Sequence, residues 1–258
     1  MSAGLLEKIS ILFKAIRAVK NWDDYVSLYF GKIKSEHVIL KMRNGIKIKL
    51  RTDSTDLMAF THVWLLKEYG RPGFEIKNND TIIDIGGHIG LFALYSSQFC
   101  KSGKIYCFEP IKENFDMLKS NIELNHIPNV IPTNAAVSKD NDKVTIYLNE
   151  DEAGHSMHVT GTKSVQVNST SLQTIFDSNG IEHCDFLKVD CEGEEYAIMD
   201  SLPSGYYDKI RKMCIEYHFV DTKPHLLKAL MQKLESHSFE IKQEKYCQIL
   251  DFCTQKNS

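Results

Sequence analysis

Acidic side chains recur in this 258-residue chain where short apolar runs stop. Thr81-Ile82-Ile83-Asp84-Ile85 leads into Gly86-Gly87-His88-Ile89-Gly90, and Lys104-Ile105-Tyr106-Cys107-Phe108 ends in Glu109-Pro110. Asp185-Phe186-Leu187-Lys188-Val189 ends in Asp190-Cys191-Glu192-Gly193, and Ile215-Glu216-Tyr217-His218 closes a fourth run. One polar strand end is a cap; acids at four successive ends describe a site. Ligands of open α/β sheets bind outside the C-terminal ends of the strands. Asp190 and Glu192 flank a residue that points the other way if the strand continues, so both carboxylates face one side. Close carboxylates repel when both ionise, so one can hold a raised pKa and act as a base near neutral pH. They could equally coordinate a divalent ion with His218 as third ligand, although no metal is predicted. Glu216 and His218 share a face at spacing two, where a carboxylate can fix a histidine's tautomer and make it a base. Asp190, Glu192, Glu216 and His218 are therefore the catalytic candidates. Glu194 reads as a capping group on a solvated turn.

The glycine turn carries a second kind of chemistry. A strand feeding a helix through glycines brings bare backbone N–H groups and a positive helix N-terminus to a ligand. The spacing is Gly86-Gly87-x-x-Gly90 directly after an acid, not the G-x-G-x-x-G of a dinucleotide site. Asp84 would oppose a pyrophosphate but favour the ammonium of an amino-acid-like ligand. Glu109 stands at the next strand end, where a carboxylate best meets the two hydroxyls of a ribose. Acid, glycine turn and ribose acid together fit S-adenosylmethionine better than NAD. Asn134-Ala135-Ala136 follows the third strand, where a small polar residue can edge an adenine ring.

These groups need a scaffold, and the pattern supplies one. Strands are expected at 81–85, 104–109, 129–133, 185–190 and 212–217, with helices at 89–99, 111–125, 194–202 and 223–237. Glu240–Gln243 and Tyr246–Asp251 close the chain as two more strands. Repeated β–α order argues an α/β fold, a doubly wound, mostly parallel sheet with helices on both faces. Residues 143–149 and 163–168 alternate like exposed strands and read as an antiparallel insertion after the third core strand. It carries the loop Asp151–Ser156; His155 and His158 of the insertion could touch a substrate, although exposed loop histidines usually do nothing. Upstream, 37–42 and 46–50 flank Arg43-Asn44-Gly45 and predict a hairpin with a type I′ turn. Residues 3–20 place Leu5, Leu6, Ile9, Leu12, Phe13, Ile16 and Val19 on one helical stripe. That helix is expected to dock on the body of the protein. Contact with an anionic membrane surface is the less favoured alternative.

Bulk properties exclude several classes. A formal net charge of −3 leaves no electrostatic footprint for nucleic acid. No apolar run reaches the roughly 20 residues that cross a bilayer. The N-terminal stretch carries charges and lacks a small-residue cleavage site, so it does not read as a signal peptide. Seven cysteines without a C-x-x-C pair argue against a disulfide framework or a zinc site, and a cytoplasmic location is expected.

At Asp84–Gly90, Phe108-Glu109-Pro110 with Glu113-Asn114, Leu187–Glu195 and Glu216-Tyr217-His218, the chain resembles the FkbM-type methyltransferases. These are a class I, Rossmann-like, S-adenosylmethionine-dependent family. The resemblance extends through Asn44-Gly45, Thr55-Asp56 and Glu68-Tyr69, and covers roughly residues 38–220. Residues 1–36 lie outside it and read as a helical extension; the methyltransferase domain is expected at 37–258, with the hairpin at 37–51 and the catalytic core at 80–258. The resemblance implies methyl transfer to a hydroxyl of a sugar, a glycoconjugate or another small metabolite. Asp84, Gly86, Gly87, His88 and Gly90 would hold the methionine part, Glu109 and Pro110 the ribose, and Asn134 and Ala135 the adenine. Asp190 would stand nearest the turn and touch the ammonium. His88 departs from the family's more frequent asparagine, yet either side chain can donate to a ligand carboxylate. Competing readings are an RNA ribose 2′-O-methyltransferase, for which Lys188 alone is available, a non-enzymatic nucleotide-binding domain, and a membrane-peripheral adaptor.

Overall fold

The computed structural model describes residues 4–148, 163–245 and 249–255. Two helices, α1 (Leu5–Ala18) and α2 (Trp22–Tyr29), precede the hairpin of β1 (His37–Lys41) and β2 (Lys47–Arg51). Helix α3 (Asp56–Phe60) runs directly into a π-helical stretch, Thr61–Leu66. The core then alternates through β3 (Thr81–Ile85), α4 (Leu91–Ser97), β4 (Lys104–Phe108), α5 (Lys112–Leu124) and β5 (Val130–Thr133). After β6 (Ala136–Ser138), β7 (Lys143–Leu148) and β8 (Lys163–Ser171) come α6 (Leu172–Asn179) and β9 (Phe186–Val189). The chain closes with α7 (Glu195–Ser201), α8 (Ser204–Tyr207), β10 (Lys212–Tyr217), α9 (Pro224–Ser236), β11 (Phe239–Lys245) and β12 (Ile249–Gln255).

Seven strands form the main sheet in the order β11-β12-β10-β9-β3-β4-β5. The five from β10 to β5 are parallel; β12 pairs antiparallel with both β10 and β11, so β11 at the edge runs in the same direction as the five. Strand order reverses between β3 and β9, the switch point at which such sheets bind ligands. Side-chain alternation divides the core. Ile82, Ile105 and Phe186 join α4, α5 and the N-terminal elements on one face, with Ala15, Val19, Leu28, Leu40 and Ile48 in the same cluster. Ile83, Leu187 and Ile215 meet Phe176, Ile198 and Leu234 on the other. The expected doubly wound sheet is thus present. The insertion is present too: β7 pairs β8 antiparallel, and β6, not expected from the sequence, pairs β8 in parallel.

Three expectations change, and a fourth falls outside the described residues. The hairpin turn is not type I′: Gly45 alone takes positive φ, at 97°, and its N–H bonds Met42 O while Met42 N bonds Ile46 O. This is a three-residue loop with a glycine bulge. Helices α2, α3 and α6 went unread, although Ser171 caps Thr174 N and Gly180 ends α6 at φ 60°. The stripe of α1 is only partly docked, with Ala15 and Val19 buried but Leu6 and Phe13 exposed. The loop Asp151–Ser156 with His155, and His158, lies outside the described residues.

The hairpin is fixed to the core by side chains that act like a strand. Asn125 accepts from Lys47 N at 2.8 Å and donates to Lys47 O at 2.7 Å. One turn earlier, buried Asn121 accepts from Lys49 N at 2.8 Å and donates to the carbonyls of Lys49 and Ile89. Asn121→Ala strips partners from buried backbone groups and is expected to cost about 1–3 kcal/mol. Urea unfolding with an unchanged m-value would measure it. A loss under about 0.5 kcal/mol would show that the hairpin is held elsewhere.

Candidate active site

A cavity of about 700 Å³ opens at the C-terminal ends of β3, β4, β9 and β10. Its sheet side carries Gly86, Gly87, His88, Glu109, Asp190, Glu192 and Glu216. The opposite wall comes from segments before the core, including Arg51, Thr55, Met58, His62 and Tyr69.

The glycine turn is built differently from the expectation. Gly86 N and Gly87 N both donate to Phe108 O, at 3.1 and 2.9 Å, and His88 N donates to Glu109 Oε2 at 2.8 Å. These amides serve β4 and are not bare groups awaiting a ligand. Glycine is required for another reason: Gly86 has φ 78°, and a Cβ there would run into the Asp190 carbonyl. The turn therefore lets β9 and the cavity approach its backbone closely.

Asp84 is fully buried beneath this turn and does not line the cavity. In register it lies beside Cys107 of β4 and Lys188 of β9. Lys188 Nζ stands 3.3 Å from Asp84 and 3.4 Å from Asp190, and donates to Gly86 O at 2.9 Å. Burial would lower the Lys188 pKa, but Asp84 and Asp190 outweigh it and keep the ammonium charged. Asn134 and Ala135 are also off the wall. Asn134 Nδ2 donates to the carbonyls of Glu109 and Pro110, so it shapes the strand end, while Ile111, Ala136, Val137 and Ile146 line the cavity nearby.

Glu109 is buried at the cavity wall and accepts from His88 N, Ile111 N and, at 3.4 Å, Asn114 Nδ2. Burial outweighs these donors and pushes its pKa up to about 7. His88 is pulled down to about 4, chiefly by burial and against the pull of Asp56. Its Nε2 lies 3.2 Å from Arg51 Nη2, which can only donate, and 3.4 Å from Asp56 Oδ1.

The remaining candidates gather around one histidine. His218 Nδ1 is 3.2 Å from Glu195 Oε1, and Nε2 is 3.3 Å from Glu192 and 3.8 Å from Glu216. Burial alone would lower its pKa, but the bond to Glu195 and the charge of Glu192 lift it to about 10. His218 is then an imidazolium at neutral pH, which overturns its expected role as a base. Asp190, Glu192 and His218 each offer a ligand atom, all within 4.8 Å of one another, and an ion bound there would have to displace the Nε2 proton. Glu192 rises to about 7, mainly through burial, in a left-handed backbone at φ 54°. Burial and Asp190 push Glu216 up as well. Glu194 and Glu195 are not solvated caps: Glu194 accepts from Ser138 Oγ at 2.6 Å, and fully buried Glu195 also holds Gly193 N at 2.7 Å.

Sequence reasoning missed the opposite wall. Arg51 binds buried Asp56 through two nitrogens, at 2.7 and 3.0 Å. His62 Nδ1 lies 3.3 Å from Glu68, which raises its pKa, and its ring borders the cavity. Only the adjacent Glu68-Tyr69 and Thr55-Asp56 pairs signalled this region. One prediction concerns the His218 clamp. A histidine pKa raised from about 6.5 stabilises the fold fully below pH 6.5 and loses that effect as pH climbs to about 10. His218→Gln is expected to cost about 3–5 kcal/mol near pH 6.5, with the difference from wild type shrinking toward pH 10. Denaturant titrations across this range check it, and a pH-independent difference would refute the clamp.

Comparisons with known proteins converge on this edge of the sheet. Residues 84–241, more than half of the chain, match the methyltransferase FkbM domain. Methyltransferase 1 of Beauveria bassiana is 24% identical over 186 residues, covering 64% of this chain and 74% of that protein. The 31-O-demethyl-FK506 methyltransferase FkbM of Streptomyces tacrolimicus is 20% identical over 235 residues, covering 78% and 88%. The crystal structure of methyltransferase FkbM from Methylobacillus flagellatus KT aligns with a TM-score of 0.49 at 15% identity, over 95% of this chain and 58% of that one. The matched segment begins at Asp84 and takes in Glu109, Asp190, Glu192, Glu216 and His218; the chain belongs to the FkbM methyltransferase domain family.

Proposed function

We propose that this cavity binds S-adenosylmethionine and methylates a hydroxyl of a sugar, a glycoconjugate or another small metabolite. Glu109 carries the reading. Its carboxylate sits at the end of β4, beside the glycine turn and on the cavity wall. Two carboxylate oxygens offer about four acceptor sites, and three N–H donors leave about one for a ribose hydroxyl, with a second open if the 3.4 Å contact from Asn114 gives way. The other residues present suit the same ligand. Ile111, Ala136, Val137 and Ile146 give an apolar slot for the adenine, in place of Asn134 and Ala135. Asp190 and Glu192 favour a cationic methionine part over the Gly86–Gly87 backbone. Asp84 acts from below, through Lys188.

Bound there, S-adenosylmethionine supplies an electrophilic methyl group on a sulfonium. The chain's task is to align the acceptor, exclude water and take a proton. An alcohol is almost unionised at neutral pH, and Glu192, near 7, is matched to accept its proton. His218 holds Glu192 in place as a fixed cation and is not available to take that proton. Glu216, pushed up, keeps its proton and can donate to the acceptor oxygen. His62 and Arg51 face these groups across the cavity and orient the acceptor. The relative named as a 31-O-demethyl-FK506 methyltransferase supports a hydroxyl acceptor.

Thermal shift with S-adenosylhomocysteine, NAD and ATP tests the cofactor. Stabilisation by NAD alone would sink the reading. Hydroxylated sugars and glycoconjugates with labelled cofactor then identify the acceptor.

Ribose hydroxyls donate to the ionised carboxylate, so affinity for S-adenosylhomocysteine should rise as pH passes upward through about 7. Glu109→Gln should weaken binding about tenfold to a hundredfold at pH 8 and flatten that pH dependence. Calorimetry at several pH values decides it; an unchanged dissociation constant would remove the ribose assignment. Glu192→Gln should lower single-turnover methylation by roughly a hundredfold while cofactor affinity stays within a few fold. Full activity in that variant would move the base elsewhere.

A further inference from the structure

Helix α1 leaves the N-terminal part of its apolar stripe uncovered among the described residues. Leu6, Ile9, Leu12 and Phe13 are 84%, 42%, 38% and 62% exposed, while Ala15 and Val19 are fully buried. At about 100° per residue, the four exposed side chains share one face and Ala15 lies on another. The anchor sits at the helix's C-terminal end. Arg43 N donates to Ala18 O, Arg43 Nη2 to Ile16 O, and Lys20 N to Lys41 O. The helix is pinned to the hairpin there, and its first turns project with the stripe uncovered. A contiguous exposed apolar face of this kind marks a contact surface.

Charge identifies what covers it. On the helical wheel Lys8 borders the stripe on one side and Arg17 on the other, and Lys20 follows at its end. The helix's one acid, Glu7, falls on the far side. These cations ring an apolar stripe on a chain whose formal net charge is −3. A second copy of the chain would bring the same cations to the rim, whereas lipid phosphates and carboxylates complement them.

We propose that α1 lies in the headgroup layer of a membrane bearing anionic lipids, with its apolar stripe at the acyl boundary. Fourteen residues make a helix of about 21 Å. Among the described residues no helix is long and apolar enough to cross a membrane, so α1 lies on the surface. The exposed part of the stripe narrows the expectation that this helix docks on the body, which holds at its C-terminal end. The inference rests on α1 alone and is independent of the methyltransferase site.

Co-sedimentation of the full chain with phosphatidylcholine vesicles containing about 30% phosphatidylserine tests it. The chain should bind, and pure phosphatidylcholine should bind it about tenfold more weakly. Lys8→Glu with Arg17→Glu should reduce binding about tenfold or more, since each basic residue near such a surface is worth about fivefold. Leu6→Glu with Phe13→Glu should reduce it at least as far. All four side chains are exposed, so far-ultraviolet circular dichroism and S-adenosylhomocysteine affinity should match wild type. A chain that stays in the supernatant with the anionic vesicles would overturn the proposal. So would equal binding by the Leu6→Glu/Phe13→Glu variant. A stable dimer in sedimentation velocity that Phe13→Glu splits, without vesicle binding, would assign the stripe to a second copy instead.

Discussion

One buried ammonium holds the ligand edge of the sheet together. Lys188 joins Asp84 on β3, Asp190 beyond β9 and the carbonyls of Ile85 and Gly86. Removing one partner of such a buried pair costs about 3–5 kcal/mol, because the other charge is left without compensation. The β3–β9 register sets Asp84 beside Lys188, so the pair also rewards that register over a slipped one. Because the turn's carbonyls face the ammonium and its amides face Phe108 and Glu109, the turn spends its polar groups inside the protein. What it presents to the cavity is close backbone and shape. Polar recognition there falls to side chains, above all Glu109, Asp190 and Glu192.

A second charge sorts those side chains. Glu195, fully buried, fixes Nδ1 of His218, and the ring's other nitrogen faces Glu192. The same burial that raises Glu192 is partly offset by this imidazolium, which leaves the carboxyl near 7. Glu216 lies farther from the ring and beside Asp190, so burial and repulsion push it up. Two glutamates on neighbouring strand ends thus take different protonation states from different surroundings. Backbone strain accompanies this arrangement. His88 and Glu192 both hold left-handed φ values without being glycine, and the bonds to Glu109 and His218 help to hold them there.

The sheet and its acidic edge were legible because both follow local rules. β-branched runs mark strands, glycine marks the turn, and the residue after each strand stands at the ligand edge. That logic found Glu109, Asp190, Glu192 and Glu216 on one cavity. It misjudged roles that depend on distant partners. His218 read as a base beside Glu216 because nothing in the sequence pairs it with Glu195, and only packing shows those two in contact. Asp84 read as a ligand group because its partner, Lys188, lies 104 positions away in sequence. Asn134 read as an adenine edge, although the carbonyls of Glu109 and Pro110 claim its amide. Helix α1 was recognised from its periodicity, but periodicity cannot say which neighbour, if any, an apolar stripe meets.

The acceptor wall was least legible for a related physical reason. Between Arg51 and Tyr69 the backbone follows no repeating pattern: α3 passes into a π-helical stretch, and Lys67 at φ 55° turns Glu68 back toward His62. Such departures are stable only where tertiary contacts enforce them, here the Arg51–Asp56 ion pair and the rings of Phe60, Trp64 and Tyr95. The two walls therefore obey different constraints. The sheet side must keep the register of β3, β4 and β9 to keep Lys188 paired, so its ligand groups are tied to the fold itself. The opposite wall can change any of Thr55, Met58 or His62 without touching that register. Residues between Arg51 and Tyr69 are accordingly free to vary with whatever the cavity holds, while the polar groups of the sheet side are fixed by the fold.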